Sequence, residues 1–214
     1  LSEQVLEKLK RNGVPEEKPD GPTVLLTQEN FEEVNFKLSL KPREIRINNQ
    51  ETSFLNPKIT LKQHQVDGLK WLVSSYNMGL PGVLMADDMG LGKTLQAIVA
   101  ITQLQKSAKG PMLVVCPTSL LYNWQEECHK FNPNLNRKVI DGMPSQRKKL
   151  ITRVGDYDVI VTSYSLLQKD VEEYSSTTFS YVILDEAQHI KNRGTRNAKS
   201  VKLIQAEHRM ILSG

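Results

Sequence analysis

The residues able to do chemistry in this sequence are a lysine and a threonine behind two glycines, and a pair of acids closing an apolar run. In GVLMADDMGLGKTLQ, Gly82 to Gln96, Gly90 and Gly92 precede Lys93 and Thr94. Glycines let backbone N–H groups turn inward around an anion, the ammonium reaches the β- and γ-phosphates of a nucleotide, and the threonine hydroxyl ligates Mg²⁺. The match to GxxxxGK[ST] is imperfect, because Asp87 stands at the first glycine position. A glycine turn with an incidental Lys-Thr is the plainer alternative. In YVILDEAQHIKN, Tyr181 to Asn192, the apolar run ends in Asp185 and Glu186. In a phosphate-loop enzyme one such carboxylate holds Mg²⁺, directly or through water, and the second orients and deprotonates the attacking water.

Each group needs an element to hold it. Val83 to Ala86 form a short apolar run ahead of the loop, and Leu95, Ile98, Val99 and Leu104 recur behind it at helical spacing, which gives strand, loop, helix. Upstream, LKQHQVDGLKWLVSSY from Leu61 reads as a helix. Its Gln65 is either a solvated helix residue or, because an amide carries both donor and acceptor, a partner for an adenine edge. Downstream, Met112 to Cys116 (MLVVC), Asp158 to Tyr164 (DVIVTSY) and the run into Asp185 read as buried strands. Lys138 to Ile140 is a short strand and RMILSG, Arg209 to Gly214, a last one. Helices are expected over LLYNWQEECHKF with Ser119 as its cap, over Pro144 to Val154, from Ser165 to about Tyr174, and over Thr195 to Gln205. Strands alternating with helices predict an α/β fold with a mostly parallel sheet, helices on both faces, and ligands at the strands' carboxyl ends. The turns Pro117-Thr118-Ser119 and Thr162-Ser163-Tyr164 lie at such ends. They are either plain strand-to-helix turns or backbone-and-hydroxyl grips for nucleic-acid phosphates.

Composition narrows the classes. The 214 residues carry a net charge of +4, and residues 1 to 37 hold eight acids against five bases, leaving +7 on the remainder. Arg137 to Arg153 has six bases and one acid, and Lys191 to Lys202 five bases and no acid. Such runs are solvated helix faces or the footprint of a polyanion. Cys116 and Cys128 fit neither a CxxC pair nor a disulfide framework, and the four histidines show no ligand spacing, so a reduced, cytoplasmic setting without structural metal is expected. No apolar run approaches the ~20 residues of a membrane span. Residues 1–57 read as a small appendage of uncertain fold, with a short helix ending near Gly13 and a proline-rich stretch from Pro15 to Pro22, and residues 58–214 as the main domain.

Taken together, LKQHQVDGLKWL, GVLMADDMGLGKTLQ, MLVVCPTSLLYNWQEE, VIVTSYSLL, YVILDEAQHIKN and the start of RMILSG resemble, in order, the motifs of helicase superfamily two. Within it they are similar to the Swi/Snf-type ATP-dependent DNA translocases, of a bacterial flavour. The resemblance implies a P-loop RecA-like first lobe with ATP and Mg²⁺ as cofactors and double-stranded DNA, gripped by its backbone, as partner. It implies nucleotide binding by Gln65, Asp88, Met89, Gly90, Gly92, Lys93, Thr94 and Leu95, metal binding by Thr94 and Asp185, and catalysis by Glu186 with Lys93. Pro117, Thr118, Thr162, Ser163 and Tyr164 fall in nucleic-acid-contacting motifs. Gln188, where a histidine is more usual, and Ser213 fall where hydrolysis is coupled to movement. The sequence stops at Gly214 inside that coupling motif. Motors of this type have a second lobe supplying arginine fingers, and such a finger is worth about 10³ to 10⁵ in turnover. A first lobe nearly inactive alone is therefore expected. The rival readings are an RNA helicase of the same superfamily and a scaffold that binds nucleotide without hydrolysing it.

Overall fold

Continuous apolar runs bounded by glycine, proline and polar turns fold as strands buried on both faces, and the connecting helices must then cover both sides of the sheet. A computed structural model describes residues 60–86, 90–105 and 108–213; the expected appendage at 1–57 lies outside them. In chain order the elements are helix α1 (Gln63–Asn77), strand β1 (Gly82–Met85), α2 (Lys93–Gln105), β2 (Met112–Cys116), α3 (Leu121–Phe131), β3 (Arg137–Val139), α4 (Pro144–Ile151), β4 (Val159–Ser163), α5 (Tyr164–Asp170), β5 (Thr178–Leu184), α6 (Arg196–Leu203) and β6 (Gln205–Leu212). The six strands form one sheet in the order β1-β6-β5-β2-β4-β3, and every pair is parallel.

Side chains alternate across the pleat and so divide the core in two. Met112, Val114 and Cys116 of β2 pack with Leu69 and Leu72 of α1, Ile98 and Ile101 of α2, and Trp124 and Cys128 of α3. Leu113 and Val115 face the other way, toward Ile151 of α4, Tyr164 and Leu167 of α5, and Val201 of α6. Each fully buried aliphatic side chain contributes about 1.5 to 3 kcal/mol. Gly68 lets α1 and α2 approach: a Cβ there would lie 2.0 Å from Oε1 of Gln96. On the second face, α4 is tied to α5 by a buried ion pair. The Arg147 guanidinium donates to both carboxylate oxygens of Asp170 at 2.6 and 2.8 Å and to the Gly142 carbonyl at 2.6 Å.

Several boundaries differ from the sequence expectation for local reasons. α3 starts at Leu121, after a single 3₁₀ turn at Thr118–Leu120, and the Ser119 side chain does not cap it. The helix expected from Ser165 to Tyr174 is α5 followed by a 3₁₀ turn, Val171–Tyr174. β6 begins at Gln205 rather than Arg209. Its first half, Gln205 to His208, runs beyond the end of β1 and pairs only with β5, so polar residues are tolerated there.

Candidate nucleotide site at the strand ends

At the carboxyl end of β1 the chain turns through Gly90 and Gly92, with φ of +86° and +80°, into the first turn of α2, where Lys93 and Thr94 stand. Both glycines occupy the left-handed region that a Cβ disfavours. At Gly92 a Cβ would in addition lie 2.5 Å from Nε2 of Gln65. The expected contacts of Asp88 and Met89 lie outside the described residues. Leu95 is half-buried against the α1–α3 core.

Gln65 is buried, and both ends of its amide are engaged within the chain. Nε2 donates to the Leu91 carbonyl at 3.3 Å, and Oε1 accepts from the Lys62 N–H at 3.0 Å. A His64 ring nitrogen at 3.3 Å and Nε2 of Gln96 at 3.5 Å meet the same Leu91 carbonyl. Gln65 therefore braces the phosphate loop here. The open surface beside the loop is a cavity of about 420 Å³ lined by His64, Asp67 and Trp71 on one face of α1, Leu84 and Ala86 of β1 and its loop, and Leu91. Sequence reasoning missed this set, although positions 64, 67 and 71 recur at helical spacing.

Two strands from β1, β5 ends in Asp185 and Glu186. Asp185 is half-buried: Oδ2 accepts from Nε1 of Trp124 at 2.8 Å and Oδ1 from the Glu186 N–H at 2.9 Å. Its backbone is held as well, with its N–H on the Val115 carbonyl at 2.9 Å and its carbonyl receiving the Tyr164 hydroxyl at 2.8 Å. Burial pushes the Asp185 carboxyl above its ordinary value. The Trp124 and Glu186 donors and the charge of Lys93 pull it partly back, so the lysine of the phosphate loop acts electrostatically on the acid of β5. Glu186 adopts φ +52° and ψ +57°, and among the described residues it is the one non-glycine residue with positive φ. Such strain collects at functional positions. Gln188, exposed, donates to the Glu186 carboxylate at 2.7 Å. β6 lies between β1 and β5, and the Ser213 N–H at its end bonds the Met85 carbonyl at 3.0 Å, which puts Ser213 between the end of β1 and the end of β5.

The expected nucleic-acid contacts divide. Thr118 is exposed and Pro117 half-buried. Thr162, Ser163 and Tyr164, by contrast, are buried. Thr162 Oγ1 donates to the Ile140 carbonyl at 3.4 Å, Ser163 Oγ caps α5 by accepting from the Leu166 N–H at 3.2 Å, and Tyr164 stacks on His189 at 5.5 Å. The sheet is covered on both faces at β4, so side chains at its end turn inward and satisfy backbone groups. The exposed hydroxyl of that loop is Ser165, absent from the sequence expectation. Its Oγ lies 3.4 Å from Thr118 Oγ1 and 3.0 Å from Ser163 Oγ, joining the loops after β2 and β4. No cluster of His, Cys, Asp and Glu suited to caging a metal occurs among the described residues. No helix among them is long and apolar enough to cross a membrane.

The comparisons agree with this architecture. The SNF2-related domain family matches residues 64–214. The chain is 36% identical over 193 residues to the chromatin-remodeling ATPase INO80 of Lodderomyces elongisporus, covering 78% of this chain and 12% of that protein. It is 41% identical over 160 residues to the nuclear protein STH1/NPS1 of Saccharomyces cerevisiae, covering 72% of this chain and 12% of that protein. The chain thus spans about an eighth of the length of these curated relatives. Among solved structures, the Sulfolobus solfataricus SWI2/SNF2 ATPase core in complex with dsDNA superposes with a TM-score of 0.67 at 38% identity, over 75% of this chain and 34% of that one. The bacterial flavour expected from the sequence finds no support, since these curated relatives are eukaryotic. The α/β, RecA-like fold matches that of the ATPase core. By its motifs, its parallel sheet and the extent of the family match, the chain belongs to the SNF2-related domain family.

Proposed function

We propose that the chain is the first nucleotide-binding lobe of a SNF2-type motor that couples ATP hydrolysis to movement along double-stranded DNA and to the remodelling of protein–DNA complexes. The observation that carries this reading is the placement of the phosphate loop and the Asp185–Glu186 pair at the carboxyl ends of strands separated only by β6. Gly90, Gly92 and the start of α2 present backbone N–H groups and Lys93 to the phosphates. The cavity bounded by His64, Asp67 and Trp71 receives the base or ribose, with Gln65 holding the loop rather than the adenine edge. Asp88 and Met89 are included in this nucleotide-binding set on the motif resemblance alone.

The donor set fits Mg²⁺. That ion keeps several waters and takes one or two protein oxygens plus phosphates, which a lone half-buried carboxylate and a hydroxyl provide and a dedicated cage would not. Asp185 and Thr94 would hold it, and when bound it neutralises charge developing on the transferred phosphoryl group. Glu186 accepts the proton of the attacking water, and Gln188 releases or holds the Glu186 carboxylate. Ser213, at the end of the intervening strand, passes the change to the rest of the motor.

Duplex DNA lies across the loops after β2 and β4, on Pro117, Thr118 and Ser165, with Thr162, Ser163 and Tyr164 supporting those loops from within. The dsDNA in the structure of the Sulfolobus relative supports this partner. Contacts of this kind go to phosphates and sugars, so binding is sequence-independent and falls steeply with salt. A second RecA-like lobe supplies the arginine finger, in keeping with the 34% of the SWI2/SNF2 core that this chain covers. The compartment follows that of the DNA: cytoplasm in a cell without a nucleus, nucleus in a cell with one. Lys93→Ala is expected to abolish ATP binding measured by calorimetry while circular dichroism stays unchanged. Retained affinity would remove the assignment. Stimulation of the complete enzyme by RNA rather than by duplex DNA would favour the RNA helicase reading.

A further inference from the structure

Trp124 presents a packing residue with an unexplained polar function. Its side chain is fully buried in the core formed by α1, α2 and α3, where a phenylalanine would fill most of the same space. An indole N–H is a donor only and needs a partner when buried. That partner is Oδ2 of Asp185, 2.8 Å away and 61 residues further along the chain. From the opposite core, Tyr164 reaches the same residue, its hydroxyl donating to the Asp185 carbonyl at 2.8 Å. Asp185 is thus held from both faces of the sheet. With Oδ2 on the indole and Oδ1 on the Glu186 N–H, rotation of the carboxylate is fixed, while each oxygen keeps a lone pair directed elsewhere.

The origin of the two donors is what gives this arrangement a role. Trp124 sits in the first turn of α3, directly after the Thr118–Leu120 turn that follows β2, and Tyr164 is the first residue of α5, directly after β4. These are the two loops whose exposed hydroxyls, on Thr118 and Ser165, lie 3.4 Å apart. A displacement of either loop is carried by a rigid aromatic ring to the acid at the end of β5. We propose that Trp124 and Tyr164 are positioning residues for the metal-binding carboxylate of Asp185, one from each loop that grips nucleic acid, so that the orientation of this carboxylate reports the state of those loops. The proposal rests on the nucleotide-site reading above.

The test uses the full 214-residue chain with ADP, titrated with Mn²⁺ and read by the electron paramagnetic resonance signal of free Mn²⁺. Trp124→Phe removes only the indole donor and is expected to weaken Mn²⁺ binding on the order of tenfold, as outer-shell partners of a metal ligand do. Metal-free ADP affinity is expected to stay unchanged. Tyr164→Phe, which deletes one hydroxyl, should lower Mn²⁺ affinity in the same direction by less. In the unmutated chain the indole N–H resonance of Trp124, identified by its persistence in Trp71→Phe, should shift when Mg²⁺ is added to the ADP complex. That readout needs no variant at position 124 to fold. Mn²⁺ affinities equal to the unmutated chain in both variants, or an indole resonance indifferent to Mg²⁺, would overturn the positioning role while leaving the nucleotide site intact. Failure of the unmutated chain to bind ADP and Mn²⁺ at all would overturn both readings.

Discussion

The backbone of Glu186 offers a measurement of strain at the proposed catalytic base. With φ at +52° and ψ at +57°, its Cβ sits in the left-handed region, which costs an L-residue about 1 to 2 kcal/mol. At an ordinary site alanine is more stable than glycine by about 0.5 to 1 kcal/mol, through the greater freedom of glycine in the unfolded chain. Comparing Glu186→Gly with Glu186→Ala isolates the backbone contribution. Both variants lose the hydrogen bond from Gln188 and the repulsion between Glu186 and Asp185, so those effects cancel in the difference. Subtracting the unfolded-state advantage of alanine from the left-handed penalty leaves glycine ahead by about 0 to 1.5 kcal/mol. Urea unfolding followed by far-ultraviolet circular dichroism resolves that as a shift in midpoint at constant slope. An alanine variant ahead of the glycine variant by the ordinary margin of about 0.5 to 1 kcal/mol would show that Glu186 carries no strain and would remove the argument that its conformation is imposed by the site.

Further outcomes follow from the same geometry. Arg147→Met should cost about 3 to 5 kcal/mol in urea unfolding because it leaves the Asp170 carboxylate, 12% exposed, without its partner; Arg147→Met combined with Asp170→Leu should recover most of the loss. Burial pushes the thiols of Cys116 and Cys128 up to about 12 from 9.0, so neither should react with a thiol reagent at pH 8 until the chain unfolds. Because those pKa values are raised in the folded state, their effect on stability is absent below about pH 9, and stability then falls as pH rises toward 12 and the unfolded thiols ionise. Rapid labelling of the native chain would contradict the burial of both residues. Gly92→Ala should displace Gln65 from Leu91 and destabilise the chain by about 1 to 2 kcal/mol through its positive φ, and unchanged stability would mean that the loop relaxes freely.

The sequence was informative where one residue type can do only one job. β2 is read with its observed limits because five consecutive apolar residues bounded by proline admit no other packing in a parallel sheet. The strand-end placement expected for Lys93, Thr94, Asp185 and Glu186 is the one observed, because an apolar run closed by polar residues marks where a buried strand stops. Orientation was not legible. Nothing in DVIVTSY tells that the hydroxyls of Thr162, Ser163 and Tyr164 turn inward and that Ser165 is the one exposed, since this depends on which backbone carbonyls the neighbouring strands leave unpaired. Gln65 was weighed between solvent and adenine, and the structure supplies a third use, bracing Leu91, that no local pattern encodes. The start of β6 was hidden because Gln205, Glu207 and His208 are polar, and the overhang beyond β1 explains why a strand can begin there. Trp124 fell within an expected helix, but its acceptor, Asp185, lies 61 residues further along the chain at the end of β5.

The strand order also fixes a sequence of assembly. β1 pairs with β6 alone among the described residues, and β2 to β5 all lie between them along the chain. During synthesis β1 therefore emerges before the other described strands and pairs with the last of them, a closure of long sequence separation of the kind that slows folding. The β5-β2-β4-β3 part of the sheet can pair beforehand, with Asp185 already anchored on Val115. Under the proposed function, nucleotide affinity during refolding is expected to report the β1–β6 pairing and to lag behind formation of the β5-β2-β4-β3 part of the sheet.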